Sequence, residues 1–129
     1  MIVGIGVQLV DTARFEATLD RFGERVRDRL FTAEERAYSA SSGSHRTARS
    51  AQSLAARFAA KLATRYALSA PSLPWREIEV IRAGHGGPTL LLRGAAQRVA
   101  GSVGVDCIAL TLTHDAQWCI GQVILESHA

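Results

Sequence analysis

Arg57, Lys61 and Arg65 recur at four-residue intervals within the segment 55–68, Ala-Ala-Arg-Phe-Ala-Ala-Lys-Leu-Ala-Thr-Arg-Tyr-Ala-Leu. On a helix that spacing brings guanidinium, ammonium and guanidinium groups to one side. Such a cationic stripe can hold a phosphate through charge-assisted hydrogen bonds, with Lys61 in a catalytic or phosphate-binding role. Lys61 is the single lysine beside fourteen arginines, which suggests a position where a compact ammonium is wanted. His114-Asp115 is the other pair with chemistry in it, because imidazole titrates near neutrality and a carboxylate can orient it. Adjacent strand residues point to opposite faces, so Asp115 reads as a turn residue and His114 as either an acid-base group or a strand-end histidine. His45, His85 and His128 lack metal-ligand spacing and read as a loop, a turn and a frayed-tail residue. Cys107 and Cys119 have no activating histidine beside them and read as free, reduced thiols.

The elements that must position these groups follow from periodicity. Ile2 to Val10 is apolar and β-branched, interrupted by Gly4 and Gly6, which suits a buried strand that another backbone or a ligand approaches closely. Asp11 caps a helix in which Phe15, Leu19 and Phe22 form an apolar stripe, leaving Arg14, Arg21, Arg25 and Arg29 on a basic side. Thr32-Ala33-Glu34-Glu35 has capping-box spacing and opens a short helix to about Ala40. Ser39 to Ser50 reads as a loop, and a long helix follows from about Ala48 to Leu68, ended by Pro71 and Pro74. Leu54, Phe58, Leu62 and Tyr66 mark one apolar face of that helix. A hairpin over 78–92 turns at Gly84-His85-Gly86-Gly87-Pro88, Gly94 to Gly101 is a short helix, and Asp106–His114 with Gln117–Glu126 form a last hairpin. Helices and antiparallel strands without regular alternation predict an α+β fold.

At 129 residues with 47% hydrophobic content, the chain suits one domain. It has no run long enough to span a membrane and no signal-peptide pattern, so a soluble cytoplasmic protein is expected. A net charge of +3 and a pI near 9.4 favour an acidic or phosphorylated partner. Nucleic-acid binding is not expected, because no aromatics interleave with the basic residues and no recognised motif is present.

Two stretches resemble one family. Residues 55–68 resemble the Phe-Ala-Ala-Lys-Glu-Ala signature of the bacterial holo-acyl-carrier-protein synthases, the small 4'-phosphopantetheinyl transferases. Met1 to Glu16, Met-Ile-Val-Gly-Ile-Gly-Val-Gln-Leu-Val-Asp-Thr-Ala-Arg-Phe-Glu, follows their opening, and Leu-Thr-Leu-Thr-His-Asp and Val-Ile-Leu-Glu look like their last two strands. The resemblance implies an antiparallel sheet packed with helices over residues 1–129 and a homotrimer with sites between subunits. It also implies coenzyme A or phosphopantetheine as cofactor and an acyl carrier protein as partner, docking on Arg14, Arg21 and Arg25. Such proteins transfer the phosphopantetheine arm of coenzyme A to a carrier-protein serine, with magnesium neutralising the pyrophosphate.

Both carboxylates that the family uses for the metal are replaced here, one by Gln8 and the other by Leu62. Magnesium wants hard, anionic oxygen ligands, and an amide with a hydrocarbon supplies one neutral oxygen. Metal binding is therefore expected to be weak or absent. The Gly-Thr-Gly turn of the family is also missing, with Leu68-Ser69-Ala70-Pro71 in its place. Three readings follow: a degenerate or repurposed binder of the carrier protein or its arm, with metal-free acid-base chemistry on a tethered acyl group as one form; an active transferase; and a non-catalytic trimeric module. Leu62 either extends an apolar helix face or lines a pocket for pantetheine or an acyl chain, with Gln8 as a neutral hydrogen-bonding group in its wall.

Overall fold

The computed structural model describes residues 1–41, 48–82 and 86–128. The chain runs β1 (Ile2–Asp11), α1 (Thr12–Phe22), α2 (Glu24–Leu30), α3 (Ala33–Ser41), α4 (Ala48–Ala67), β2 (Ile78–Arg82), β3 (Pro88–Leu92), α5 (Gly94–Ser102), β4 (Cys107–His114) and β5 (Trp118–Glu126), with a single 3-10 turn at Trp75–Glu77 before β2. Strands β1, β5 and β4 form one antiparallel sheet in that order, and β2 pairs with β3 in a second. This is the α+β arrangement expected. The turn at Gly84-His85 and most of the loop expected over 39–50, with His45, lie outside the described residues; Ser39–Ser41 and 48–50 are helical.

Helix α4 lies across β1 and β5 at backbone contact. Ala55, Ala59, Ala60 and Ala63 are fully buried. A methyl at Gly6 would sit on the Ala63 carbonyl, 2.8 Å from its carbon, and one at Gly121 would lie 2.6 Å from the Ala59 carbonyl carbon. Alanine on the helix and glycine on the strands thus let two backbones touch, the close approach that Gly4 and Gly6 foretold. One core lies between α4, both sheets and α5, around Ile78, Val80, Leu90, Leu110, Val123 and Leu125. A second joins α1 to α4 through Phe15, Leu19, Phe31 and Leu54, with Phe15 stacked on Phe58 at 5.2 Å and edge-on to Phe31 at 6.2 Å.

Four expectations need correction. β1 is an edge strand rather than a buried one: Ile5, Val7 and Leu9 are 49%, 46% and 54% exposed, because only the opposite face of the strand meets α4. The helix after Asp11 breaks at Gly23, whose φ of 61° is left-handed and whose amide caps α1 on the Leu19 carbonyl at 2.8 Å. Phe22, next to that break, is 52% exposed with the Arg21 guanidinium over its ring, so it leaves the buried stripe. His128 is held by Asp106, which accepts from its amide at 2.8 Å and meets its Nδ1 at 2.6 Å. Those contacts keep the Asp106 carboxyl below its usual range. The capping box is present as expected: Thr32 N donates to Glu35 Oε1 at 3.0 Å, and Glu35 N to Thr32 Oγ1 at 3.2 Å.

Candidate functional site

Gln8 projects from the α4-facing side of β1, and Leu62 lies one turn along α4 from the alanines that touch the sheet. Together they line one open cleft of about 720 Å³ whose other walls include Val3, Ile5, Arg65, Tyr66, Ala67, Ser69 and Pro71. The cleft is apolar along β1 and cationic at Arg65, and no carboxylate is among its lining residues. Leu62 is half-buried, whereas Tyr66 is 67% exposed, so the face begun by Leu54 and Phe58 opens to solvent toward the helix end. Magnesium does not fit this donor set, since one neutral amide oxygen cannot replace paired carboxylates around a hard dication.

The turn after α4 closes one end of the cleft. Ser69 takes φ 52°, and its amide and that of Ala70 bond back to Tyr66 O at 3.0 Å and Arg65 O at 2.9 Å. This is a helix cap of the kind glycine normally occupies. Two amides that a glycine-rich turn could aim at an anion are spent on helix carbonyls.

The cationic stripe does not form one surface. Lys61, expected to bind phosphate or act in catalysis, is fully buried. Its Nζ donates to Glu35 Oε1 at 2.8 Å, Trp75 O at 2.9 Å and Ile78 O at 2.6 Å, which uses all three ammonium donors. Burial lowers its pKa, and Glu35 opposes that shift. Lys61 therefore ties α4 to α3 and β2, with Glu35 also accepting from Val80 N at 3.0 Å. The capping-box glutamate and the lone lysine were both visible in the sequence; their pairing was missed because they are far apart along the chain.

Arg57 and Arg65 leave the helix in different directions. Arg57 is 4% exposed, donates to Ser53 Oγ at 2.7 Å, and lies 4.5 Å from the Tyr38 ring centre. Burial lowers its pKa. It lines a pocket of about 440 Å³ together with Gln52, Arg82, Leu112 and His114. The structure thus brings His114 to Arg57 and a second arginine, which the sequence did not anticipate because Arg82 lies on another hairpin. Asp115 is the turn residue expected, accepting from Gln117 N and Trp118 N at 2.8 and 2.7 Å, which hold its carboxyl low.

Arg65 stacks on Trp75 at 3.2 Å and donates to Leu73 O. Its pKa is lowered by burial and by Arg29. The Nε atoms of Arg57 and Arg65 are buried without a hydrogen-bond partner among the described residues. Arg14 and Arg21 on α1 and Arg25 on α2 are exposed. Cys107 and Cys119 are free, and burial raises the Cys119 thiol pKa. Among the described residues no group of three or more His, Cys, Asp or Glu could hold a metal ion, and no helix is long and apolar enough to cross a membrane.

Comparison with known proteins agrees with this architecture. Residues 4–121 match the model of the 4'-phosphopantetheinyl transferase superfamily. The chain is 46% identical over 117 residues to the holo-[acyl-carrier-protein] synthase of Beutenbergia cavernae, covering 90% of each. It is 39% identical to that of Solibacter usitatus, covering 98% of this chain and all of the other. Among solved structures it resembles a holo-(acyl-carrier-protein) synthase from Bacillus anthracis in complex with CoA (3',5'-ADP), with TM-score 0.77, 29% identity and 98% of each chain covered. It also resembles the acyl carrier protein synthase of Mycobacterium tuberculosis, with TM-score 0.72, 30% identity, and 98% of this chain and 99% of that one covered. With nearly the whole chain matched in both sequence and fold, the protein belongs to the 4'-phosphopantetheinyl transferase superfamily, in the branch of the holo-acyl-carrier-protein synthases.

Proposed function

We propose that this chain binds the phosphopantetheine moiety, as coenzyme A or as the arm of an acyl carrier protein, without the magnesium-dependent transfer of the family. One observation carries the reading: Gln8 and Leu62 share a cleft with no carboxylate in its wall. A similar structure contains CoA (3',5'-ADP), which supports coenzyme A as a ligand. Arg57, Arg82 and His114 line a separate cationic pocket suited to a nucleotide phosphate of coenzyme A, with His114 as the candidate acid-base group there. Lys61 has no part in this reading, and Arg65 serves the cleft.

An acidic carrier protein would dock on exposed Arg14, Arg21 and Arg25, with Phe22 as an apolar anchor among them. The open face of β1, with Ile5, Val7 and Leu9, supports self-association into a homotrimer. We take residues 1–129 as one domain acting in the cytoplasm.

A second reading is transfer itself, favoured by relatives that are named holo-[acyl-carrier-protein] synthases. It requires a metal held by groups such as Asp11, phosphate and water, and Asp11 already caps α1 by accepting from Arg14 N at 3.1 Å. Incubation with coenzyme A, magnesium and an apo carrier protein, read by mass spectrometry, separates the two. No gain of the arm by the natural chain, with gain by a Gln8→Asp/Leu62→Glu variant, is the expected result. Full transfer by the natural chain would overturn the proposal.

A further inference from the structure

We propose that the Gln8–Leu62 cleft receives an acyl thioester, so that the chain recognises the acylated phosphopantetheine arm in preference to the free thiol. This rests on the reading above that the arm is bound. Val3, Leu62, Ala67 and Pro71 give the cleft hydrocarbon walls. Along β1 it runs from Val3 to Gln8, five residue steps or about 16 Å at the rise of a strand, which is room for an extended arm rather than its tip alone.

The anionic end of such a ligand has its own place. Arg65 lines the cleft and also an adjoining pocket of about 270 Å³, where it meets Arg29, Arg76, Ser72 and Trp75. Arg29, Arg65 and Arg76 take part in no ion pair among the described residues, whose salt bridges use Arg36, Lys61, Arg93 and His128. Three guanidinium groups held near one another repel, and a phosphate between them relieves that repulsion.

Two compartments that share Arg65 in their walls, one tricationic and one apolar, match a molecule with a phosphate at one end and a hydrocarbon at the other. Free phosphopantetheine has the phosphate and ends in a thiol; its acylated form supplies both. Gln8 can donate an amide hydrogen to a thioester carbonyl, an interaction that a carboxylate could not make. No bond is made or broken in this proposal.

Calorimetric titration with 4'-phosphopantetheine and with S-hexanoyl-4'-phosphopantetheine tests it. Each buried methylene strengthens binding about fourfold, so partial burial of the chain should make the hexanoyl probe at least about tenfold tighter. Leu62→Asn should remove that preference, and Arg76→Ala, at an exposed position, should weaken both probes by a similar factor. Equal affinity for the two probes, or a preference that survives Leu62→Asn, overturns this inference alone. No binding of either probe or of coenzyme A overturns the proposed function and this inference with it.

Discussion

Replacing Lys61 by methionine decides whether the one lysine is structural or part of a ligand site. The substitution keeps the length of the side chain and removes three hydrogen bonds, to Glu35 Oε1, Trp75 O and Ile78 O. Glu35, 1% exposed, would keep its bonds from Thr32 N and Val80 N but lose its counter-charge, and the part-buried Trp75 and buried Ile78 carbonyls would lose a donor. Breaking a buried pair on one side costs about 3–5 kcal/mol. Against a total stability of about 5–15 kcal/mol, that is a large share. It corresponds to a fall in Tm of roughly 10–20 °C for a domain of this size.

Urea unfolding followed by circular dichroism measures the loss. A Lys61→Met/Glu35→Gln variant should recover part of it, because the uncompensated carboxylate is gone while the glutamine oxygen still accepts from one of the two amides. If Lys61→Met stayed within about 1 kcal/mol of the natural chain and instead lost coenzyme A binding, the structural reading of Lys61 would fail.

Two further outcomes follow from the same fold. Burial raises the Glu79 pKa, but bonds from Thr32 and Arg93 outweigh it and bring the folded-state value below 4.5. The stabilisation from that carboxylate is therefore present above pH 4.5 and lost as pH falls below it, so Glu79→Gln should flatten the decline of Tm in that acid range, measured by scanning calorimetry across pH. Ser69 holds a left-handed backbone at φ 52°; Ser69→Gly should raise stability by about 0.5–1 kcal/mol in urea titrations, and a loss of stability would show that the serine side chain is needed there.

Legibility differed from residue to residue for physical reasons. The element order was readable because amphipathic periods, a capping box, glycines at the helix–strand contact and turn prolines are local properties of the chain. Phe22 escaped because Gly23 turns the backbone out of the helix that would have buried it. The edge position of β1 escaped as well, since an apolar run reads the same in a central strand and in an edge strand with one open face.

That positions 8 and 62 hold an amide and a hydrocarbon, neither of them a carboxylate, was written in the residue types, which no folding could alter. Which cations remain available was decided only in three dimensions. A four-residue spacing placed Arg57, Lys61 and Arg65 along one helix. Packing then buried Lys61 against Glu35, turned Arg57 toward Tyr38 and His114, and left Arg65 at the cleft. The reason is that the fate of a charged side chain depends on the desolvation and partners supplied by distant segments, and a helical period specifies neither.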